Sequence, residues 1–501
     1  MYLRPIRFLP IAGLILWGLA TEAVALFEIS QLHANGDIKH EIKAAYLTDP
    51  DHANLLASIV VDDLHRYIAV YAAKDDHHYV AEPVNTLEIG DDVIFLDTGK
   101  VGSGETESLI LFTRNQALVV NPLTGKRTEL VRFSSLYTLP VIGELPGLDL
   151  VRDINGDGLE DMMVPDFDGY WLFMQVEAGV FDQGRLIALP AIMGVPYGSY
   201  VSYRPANPYF ADMNLDALQD LVFWSQDELK VFFQDDSLNY RTEAESYQPA
   251  IEFQEEGLAG ISIGLGGAED QSNIEAKTLY KFTDLNRDGF VDIVTLSVRS
   301  SGVLNKTSRY EVHMGFAVDG AVVHSSVPES VIESDGIQFE IDEQDFNNDG
   351  SVDFVVSSVE IGLGRILAAL ITGSISTDLS FYRMNGGRYP NRPNATRKIK
   401  ATFSLSSGEV FYPTVMIADV NGDRISDLIV QDGRKGMNIF AGEDSDDLFA
   451  SRPTEFQVEM PNNPELIHIT DLNRDGKKDI IIRYEDGDDR LRNSINVLVA
   501  R

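Results

Sequence analysis

This chain of 501 residues repeats one nine-residue pattern, Asp-x-Asn-x-Asp-x-x-x-Asp, six times. Successive copies begin 52 to 74 residues apart. A pattern that recurs at such intervals is typical of repeat architectures, in which each repeat is one supersecondary unit. The sequence therefore predicts a fold made of several similar units. The first aspartates of the copies are Asp153, Asp212, Asp284, Asp345, Asp419 and Asp471.

The four constant positions of each copy carry side-chain oxygen atoms. In a tight loop, side chains at alternate positions can converge on one point, and a hard cation such as Ca²⁺ takes about 6–8 oxygen ligands. Zn²⁺ prefers nitrogen and sulfur, and Mg²⁺ requires a stricter octahedron. We therefore predict about six structural Ca²⁺ sites. Their side-chain ligands are Asp153, Asn155, Asp157 and Asp161; Asp212, Asn214, Asp216 and Asp220; Asp284, Asn286, Asp288 and Asp292; Asp345, Asn347, Asp349 and Asp353; Asp419, Asn421, Asp423 and Asp427; and Asp471, Asn473, Asp475 and Asp479.

Two further positions of the pattern support a sharply turned ion loop. The sixth residue is glycine in four copies, as expected where the backbone must turn tightly, but it is Ala217 and Arg424 in the other two. We expect those two loops to be strained or to bind the ion more weakly. The backbone carbonyl of the seventh residue can supply one more oxygen, and these residues are Leu159, Leu218, Phe290, Ser351, Ile425 and Lys477.

An EF-hand begins with a similar sequence but requires a glutamate at position twelve and a helix on each side. Position twelve here holds no acidic residue in any copy. Short apolar runs rich in β-branched residues follow the loops, and such runs predict strands. We therefore reject the EF-hand and place each loop in a β-hairpin. For a single copy, a turn without an ion is an equally good interpretation, because Asp and Asn are common in turns. The position-twelve residues are Val164, Phe223, Thr295, Val356, Val430 and Ile482.

The segments between the loops predict two or three more strands per repeat, and four-stranded units of about 60 residues form β-propellers. A degenerate copy near Asp97 lacks the Asn and the second Asp, and we count it as a blade without a good ion site. The last repeat supplies only three strands. We expect the segment 26–90 to close that blade and 91–501 to form the repeat blades of a single domain. This gives an all-β, seven-bladed propeller, or eight blades if residues 50–90 form a blade of their own.

The loops resemble those of the FG-GAP/VCBS family, the calcium-loop propellers of integrin α-subunit heads and of many exported bacterial proteins. The resemblance covers about residues 90–501. It implies seven blades, with Ca²⁺ on the face that carries the turns between first and second strands and a partner on the opposite face. The Phe-Gly and Gly-Ala-Pro signatures of the family are absent. The resemblance therefore extends to the fold and the ion loops, and not to a particular function.

Residues 1–25 have the features of a secretory signal peptide: Arg4 and Arg7, an apolar stretch, and a small-x-small site at Ala23-Val24-Ala25. The apolar stretch is short for a membrane helix. The chain contains no cysteine, so Ca²⁺ could take the stabilising role of disulfides in a periplasmic or secreted protein. The net charge of −38 disfavours nucleic acid and anionic membranes as partners. The oligomeric state is left open.

One segment of this acidic chain is basic. Between Phe381 and Lys400 there are six cationic residues and no acidic one. We predict that this segment is a blade-to-blade connection opposite the ion loops, where it could bind an anionic glycan or protein. The alternative is a solvated loop with no partner. The candidate contact residues are Arg383, Arg388, Tyr389, Arg392 and Arg397.

A non-enzymatic binding or interaction module is the favoured function. The alternative is a polysaccharide lyase or another carbohydrate-active enzyme on a propeller, since histidine is the usual general base near neutral pH. The candidates for that role are His65, His77 and His78, although their spacing matches no known catalytic motif. No other catalytic residues are identified.

Overall fold

The structure is a computed structural model. It describes residues 26–62, 65–135, 145–189, 192–194, 202–225, 227–254, 272–301, 306–335, 337–359, 372–403, 410–484 and 491–501. The predicted signal peptide lies outside these ranges. Within them, no helix is both long and apolar enough to cross a membrane.

The described residues form eight antiparallel sheets of four or five strands, which are the blades of a β-propeller. Blades 1 to 4 contain Asp37–Ile38, Lys43–Ala45, Asn54–Val61, His65–Tyr71 and Asn85–Ile89; Val93–Gly99, Ser108–Thr113, Gln116–Val120 and Arg127–Arg132; Val151–Arg152, Asp161–Asp166, Gly169–Phe173 and Arg185–Ala188; and Pro208–Ala211, Asp220–Ser225, Glu228–Phe232 and Glu245–Tyr247. Blades 5 to 8 contain Ser272–Thr283, Asp292–Ser301, Lys306–His313 and Ser330–Asp335; Ile337–Gln344, Asp353–Val359, Ser374–Tyr382, Ala395–Phe403 and Val410–Phe411; Val415–Ala418, Asp427–Asp432, Gly436–Phe440 and Thr454–Gln457; and Ile467–Thr470, Asp479–Arg483, Ser494–Ala500 and Phe27–His33.

Smaller elements decorate the blades. Four two-stranded hairpins are described, and a 3-10 helix at Pro464–Leu466 precedes the first strand of blade 8. Three of the hairpins lie between the third and fourth strands of blades 1, 3 and 5, and the fourth lies between blades 3 and 4. They are Ala73–Asp75 with His78–Tyr79, Gln175–Glu177 with Val180–Phe181, Gly315–Val318 with Ala321–His324, and Ile192–Gly194 with Ser202–Arg204.

The all-β class is confirmed, but the prediction of seven blades is wrong and the alternative of eight is correct. We assigned the whole segment 26–90 to closing the last blade. In the structure only Phe27–His33 does so, by pairing antiparallel with Ser494–Ala500. The rest of the segment folds into blade 1, which has no repeated loop to mark it in the sequence.

The hydrophobic core lies between neighbouring blades. Second strands such as Asp161–Asp166 are wholly buried, because they have a strand on each side and another blade against each face. Fourth strands are the outer edges: Arg127–Arg132 and Thr454–Gln457 are mostly exposed. First strands lie towards the centre, where Val415–Ala418 of blade 7 and Ile469 of blade 8 line one common cavity. The chain thus forms a ring in which each blade is stabilised by its two neighbours.

Antiparallel pairing determines which connections share a face of the ring. Within a blade, the first-to-second and third-to-fourth connections leave from one end, and the second-to-third connection leaves from the other. The repeated nine-residue loops are first-to-second connections in blades 3 to 8. We call the face that carries them the loop face. The third-to-fourth connections, including the hairpins of blades 1, 3 and 5, also lie on the loop face.

Candidate cation loops

All six loops share an unusual backbone conformation. Their fourth and sixth residues both lie in the left-handed region, with φ between +55° and +92°. This conformation directs successive backbone N–H groups towards the inside of the loop, where carboxylates accept them. Four of the sixth residues are glycines, which adopt the left-handed region without penalty. The residues are Gly156 and Gly158, Leu215 and Ala217, Arg287 and Gly289, Asn348 and Gly350, Gly422 and Arg424, and Arg474 and Gly476.

The first and fifth residues of every loop hold this backbone in place. In blade 5, Asp284 Oδ2 accepts a hydrogen bond of 2.8 Å from Gly289 N–H, and Asp288 Oδ1 accepts one of 2.9 Å from Phe290 N–H. The equivalent distances in the six loops are 2.7–3.1 Å and 2.8–2.9 Å. The third residue, Asn286, accepts from Asp288 N–H and donates to Asp288 Oδ2. The loops are therefore six copies of one structure.

The ninth aspartate of each loop is buried and joins two parts of its blade. Asp292 is fully buried; its Oδ2 accepts from Leu285 N–H at 2.9 Å, and its Oδ1 accepts from Gly315 N–H at 2.8 Å, just beyond the third strand. The other five make the same pair of bonds. Burial raises the pKa of these carboxyl groups, and the other aspartates of the loop add to the effect. The pKa is about 7 for Asp161, Asp292, Asp353 and Asp479, and about 6 for Asp220 and Asp427.

The second residue of each loop has a structural role that the sequence analysis missed. Leu285 is fully buried and packs among residues of blades 5 and 6, such as Val294 and Phe354. Its carbonyl also accepts a hydrogen bond of 2.8 Å from Val352 N–H in the next blade. The signal was present in the sequence, because this position is apolar in every copy. The six residues, all buried, are Ile154, Met213, Leu285, Phe346, Val420 and Leu472.

The donor set of each loop fits Ca²⁺ in its chemistry: three carboxylates, one amide and the carbonyl of the seventh residue. However, the described residues contain no group of three or more carboxylate or imidazole side chains already arranged to hold a metal ion. The carboxylates are turned towards backbone N–H groups instead, as in the first and ninth residues above. Binding an ion therefore requires some of these carboxylate oxygens to turn from the N–H groups to the ion, on a backbone that already has the shape of a loop.

Blade 2 also contains a buried aspartate, Asp97, but there a lysine pairs with the carboxylate. Asp97, which we expect from the sequence at the start of a degenerate loop, lies within the first strand, Val93–Gly99. Its Oδ2 accepts from Leu150 and Val151 N–H at 2.6 and 2.8 Å, and Lys43 Nζ of blade 1 donates to its Oδ1 at 2.5 Å. A lysine thus supplies the positive charge beside this buried carboxylate.

The basic segment lies on the other face from the one predicted. Residues 383–394 connect the third and fourth strands of blade 6, so they lie on the loop face. Met384 N–H donates to the ninth aspartate, Asp353, at 2.8 Å. Arg383 Nη1 lies 3.6 Å from Asp444 Oδ1 of blade 7. The prediction of a blade-to-blade connection opposite the ion loops is therefore wrong; it miscounted the strands of blade 6.

Two of the five candidate contact residues have structural roles. Tyr389 is buried, stacks on Phe354 with 4.6 Å between ring centroids, and donates to Val352 O. Arg397 lies on the fourth strand and donates to Phe449 O at 2.8 Å, so it joins blades 6 and 7. Arg388 and Arg392 are exposed. Neither forms an ion pair with any described residue.

The three candidate catalytic histidines do not form one site. His65 begins the third strand of blade 1, on the face opposite the loops. His77 and His78 belong to the third-to-fourth hairpin on the loop face, beyond the other end of that seven-residue strand. His78 Nδ1 lies 2.7 Å from Asp75 Oδ1. Their placement does not favour a shared catalytic role.

Fold and loops together define an eight-bladed β-propeller with six aspartate-rich loops on one face. No protein-family model matches the chain, and no curated protein is significantly similar to it in sequence. Among solved structures, it is similar to an Agrocybe aegerita lectin described as recognising non-reducing terminal N-acetylglucosamine (TM-score 0.41, 13% identity, 91% of this chain and 98% of the lectin). It is also similar to the V. cholerae biofilm matrix protein Bap1 (0.35, 10%, 95% and 91%) and to a Pseudomonas aeruginosa periplasmic gluconolactonase (0.26, 10%, 83% and 96%). These similarities are too distant to assign a function.

Proposed function

We propose that this protein is an exported β-propeller, stabilised by Ca²⁺, that acts as a non-enzymatic binding module. The observation that supports the proposal most strongly is the sixfold recurrence of one loop, with the same backbone, the same carboxylates and the same backbone hydrogen bonds to its first, fifth and ninth aspartates. The likeness of these loops to the calcium loops of FG-GAP/VCBS propellers supports the same assignment.

The physical case for Ca²⁺ is electrostatic. Each loop concentrates three carboxylates within nine residues of a chain whose net charge is already −38. The ninth carboxylate is also buried, and an uncompensated buried charge is costly. In blade 2, the ammonium of Lys43 pairs with the buried Asp97 and compensates its charge. No lysine or arginine takes that place beside the ninth aspartates among the described ion pairs, and we assign the role to a divalent cation.

The position of the loops explains how such an ion would stabilise the whole ring. A loop contains the buried second residue that packs against the next blade, and its ninth aspartate fixes that residue's N–H. An ion that orders the loop therefore strengthens the contact between blades as well as one hairpin. We assign Ca²⁺ a structural role on this basis.

Thermal unfolding in excess chelator and in millimolar Ca²⁺ tests the proposal. Ligands that bind only the folded state stabilise it by mass action, by about 2.7 kcal/mol per site at one hundred times Kd. We expect Ca²⁺ to raise the melting temperature by several degrees, with Mg²⁺ much less effective, and equilibrium dialysis to show several bound ions per chain. Identical melting curves in chelator and in Ca²⁺, with no ion retained, would contradict the proposal.

We place the contact with an anionic glycan on the loop face, at Arg388 and Arg392. Guanidinium groups bind carboxylates and sulfates through paired hydrogen bonds, and these two are exposed and unpaired among the described residues. The connection from Arg383 to Asn394 contains no acidic residue, whereas each of the repeated loops on the same face contains three aspartates. Binding of a polyanion should therefore depend on these two side chains.

A charge-matched pair of variants tests this contact. We expect the double variant Arg388→Ser and Arg392→Ser to lose binding to immobilised heparin or polygalacturonate. The control, Lys398→Ser with Lys400→Ser, removes the same charge from the fourth strand of the same blade and should retain binding. Equal binding by both double variants would exclude a contact at Arg388 and Arg392.

Export is proposed from the sequence of residues 1–25, with cleavage after Ala25. The first described residue, Leu26, packs against the core between blades 7 and 8, and its carbonyl accepts from Arg501 N–H. Amino-terminal sequencing of the mature protein tests this proposal. We expect Leu26 as the first residue.

A further inference from the structure

A cavity of ≈ 640 Å³ lies near the centre of the ring, at the loop-face ends of the first strands of blades 6, 7 and 8. Small-molecule sites commonly occupy about 300–1,000 Å³. The cavity is separate from the basic segment 383–394, none of whose residues line it. It contains both charged and apolar side chains, and their arrangement indicates what it binds.

Two cationic side chains line the cavity: Arg424 of the blade 7 loop and Lys478 of the blade 8 loop. Neither side chain forms a hydrogen bond or an ion pair with any described residue. In a chain with a net charge of −38, two unpaired cations beside one cavity are unusual. They provide a guanidinium that can bind a carboxylate in a bidentate manner and an ammonium that adds a point charge.

Arg424 is also strained. It occupies the sixth loop position with φ of +71°, where four of the other five loops have glycine. A non-glycine residue in the left-handed region costs about 1 kcal/mol or more, and such strain is concentrated at functional sites. Glycine would relieve the strain but would remove the guanidinium from the cavity. The arginine at this position therefore places a guanidinium at the cavity at the cost of backbone strain.

The remaining walls suit a polyhydroxylated ring. Asn348 and Ser426 supply an amide and a hydroxyl for hydrogen bonds to ligand hydroxyls. Val415 and Ile469, both half-buried, supply an aliphatic surface for the C–H groups of a ring. We propose that this cavity binds a sugar acid, meaning a ring-sized polyol with one carboxylate that pairs with Arg424 and Lys478.

Two carboxylates also line the cavity: Asp345 and Asp419, the first residues of the blade 6 and blade 7 loops. On the proposed function, on which this step rests, both bind Ca²⁺. Without the ions, these charges cancel those of Arg424 and Lys478 and repel an anionic ligand. The two ions add four positive charges beside the cavity, so the bound loops repel an anionic ligand much less than the empty ones. Affinity for the sugar acid therefore rises with Ca²⁺ occupancy.

Isothermal titration of the whole mature protein with galacturonate, and with neutral galactose for comparison, tests the proposal. In saturating Ca²⁺ we expect galacturonate to bind and galactose to bind at least tenfold more weakly. Arg424→Gly should weaken galacturonate binding at least tenfold, and Lys478→Gln should weaken it several-fold. Ala217→Gly is the matched control, because it makes the same backbone change at the same loop position in blade 4, away from the cavity, and should bind as the original chain does.

The outcomes separate this inference from the proposed function. If Ca²⁺ raises the melting temperature but galacturonate does not bind, or binds Arg424→Gly equally well, the cavity proposal is wrong and the structural role of Ca²⁺ stands. If galacturonate binds through Arg424 with equal affinity in chelator and in Ca²⁺, the cavity is a sugar-acid site and its coupling to the ion loops is wrong. An unchanged melting temperature in chelator would contradict the proposed function and the coupling that rests on it, while galacturonate binding through Arg424 would still support the sugar-acid site.

Discussion

The Asp292 carboxylate accepts a hydrogen bond of 2.9 Å from the backbone N–H of Leu285, whose side chain is fully buried between blades 5 and 6. One aspartate thus connects a candidate ion loop to the packing between two blades. The same relationship recurs in blades 3 to 8. It separates two roles within the repeated pattern, because the first and fifth aspartates bond the exposed backbone of the loop, whereas the ninth joins the loop to the buried core.

Replacing the ninth aspartate should therefore destabilise the protein even without Ca²⁺. Asp292→Ala leaves two buried N–H groups, of Leu285 and Gly315, without an acceptor. Each unsatisfied buried group costs about 1–3 kcal/mol. In chelator we expect a clear drop in the melting temperature.

Asp288→Ala is the matched comparison, because Asp288 accepts its backbone bond from the exposed part of the same loop. In chelator its melting temperature should change little, whereas in Ca²⁺ both variants should lose part of the stabilisation by the ion. Equal effects of the two variants in chelator would show that the ninth aspartate has no separate structural role.

The second residue of each loop should contribute to the free energy of unfolding as a core residue does. Leu285→Ala removes a fully buried side chain, and such changes cost about 2–5 kcal/mol. Leu123→Ala, at a residue with 56% of its surface exposed, is the control and should be close to neutral. Calorimetry of both variants checks the difference. A neutral Leu285→Ala would contradict the proposed packing between blades.

Strain at the sixth loop position predicts a stabilising substitution. Ala217 has φ of +70°, so Ala217→Gly should raise stability by about 0.5–1 kcal/mol, since strain relief exceeds the entropy that glycine adds to the unfolded chain. Gly289→Ala makes the reverse change at φ of +90°, in open space, and should lower stability by about 1 kcal/mol. Thermal melts in chelator test both changes without interference from ion binding. Effects of the same sign would exclude backbone strain as the cause.

The ring should depend on its closing strand. A chain that begins at Ala34 lacks Phe27–His33 and exposes the edge of Ser494–Ala500, and exposed strand edges promote association. We expect a lower melting temperature and concentration-dependent self-association in analytical ultracentrifugation.

A peptide of residues 26–34 should reverse both effects by adding the missing strand. The same peptide with Leu32→Asp is the control, because Leu32 is fully buried in the core between blades 8 and 1. A truncated chain that stays monomeric and melts normally would show that closure by this strand is dispensable.

Much of this architecture is local and could be predicted from the sequence. The alternate Asp and Asn residues, the glycines at position six and the apolar runs after each loop predicted six hairpins in a propeller, because turn conformation and strand periodicity depend on neighbouring residues. The apolar residue at the second position of each loop, such as Ile154 or Leu472, was equally visible in the sequence and was overlooked.

What only the tertiary structure decided concerns residues far apart in the chain. Blade 1 has no repeated loop. Whether its segment forms a separate blade depends on how Asn54–Val61 pairs with the neighbouring strands. The basic segment lies on the face opposite the predicted one, because its side of the ring depends on the number of strands that precede it in blade 6. The cavity joins Arg424 and Lys478 from two different loops. The sequence by itself determined the loops and the class of fold, because these follow from local chemistry. The strand pairing in blade 1, the face on which the basic segment lies and the central cavity follow from closure of the ring, because closure brings distant residues together.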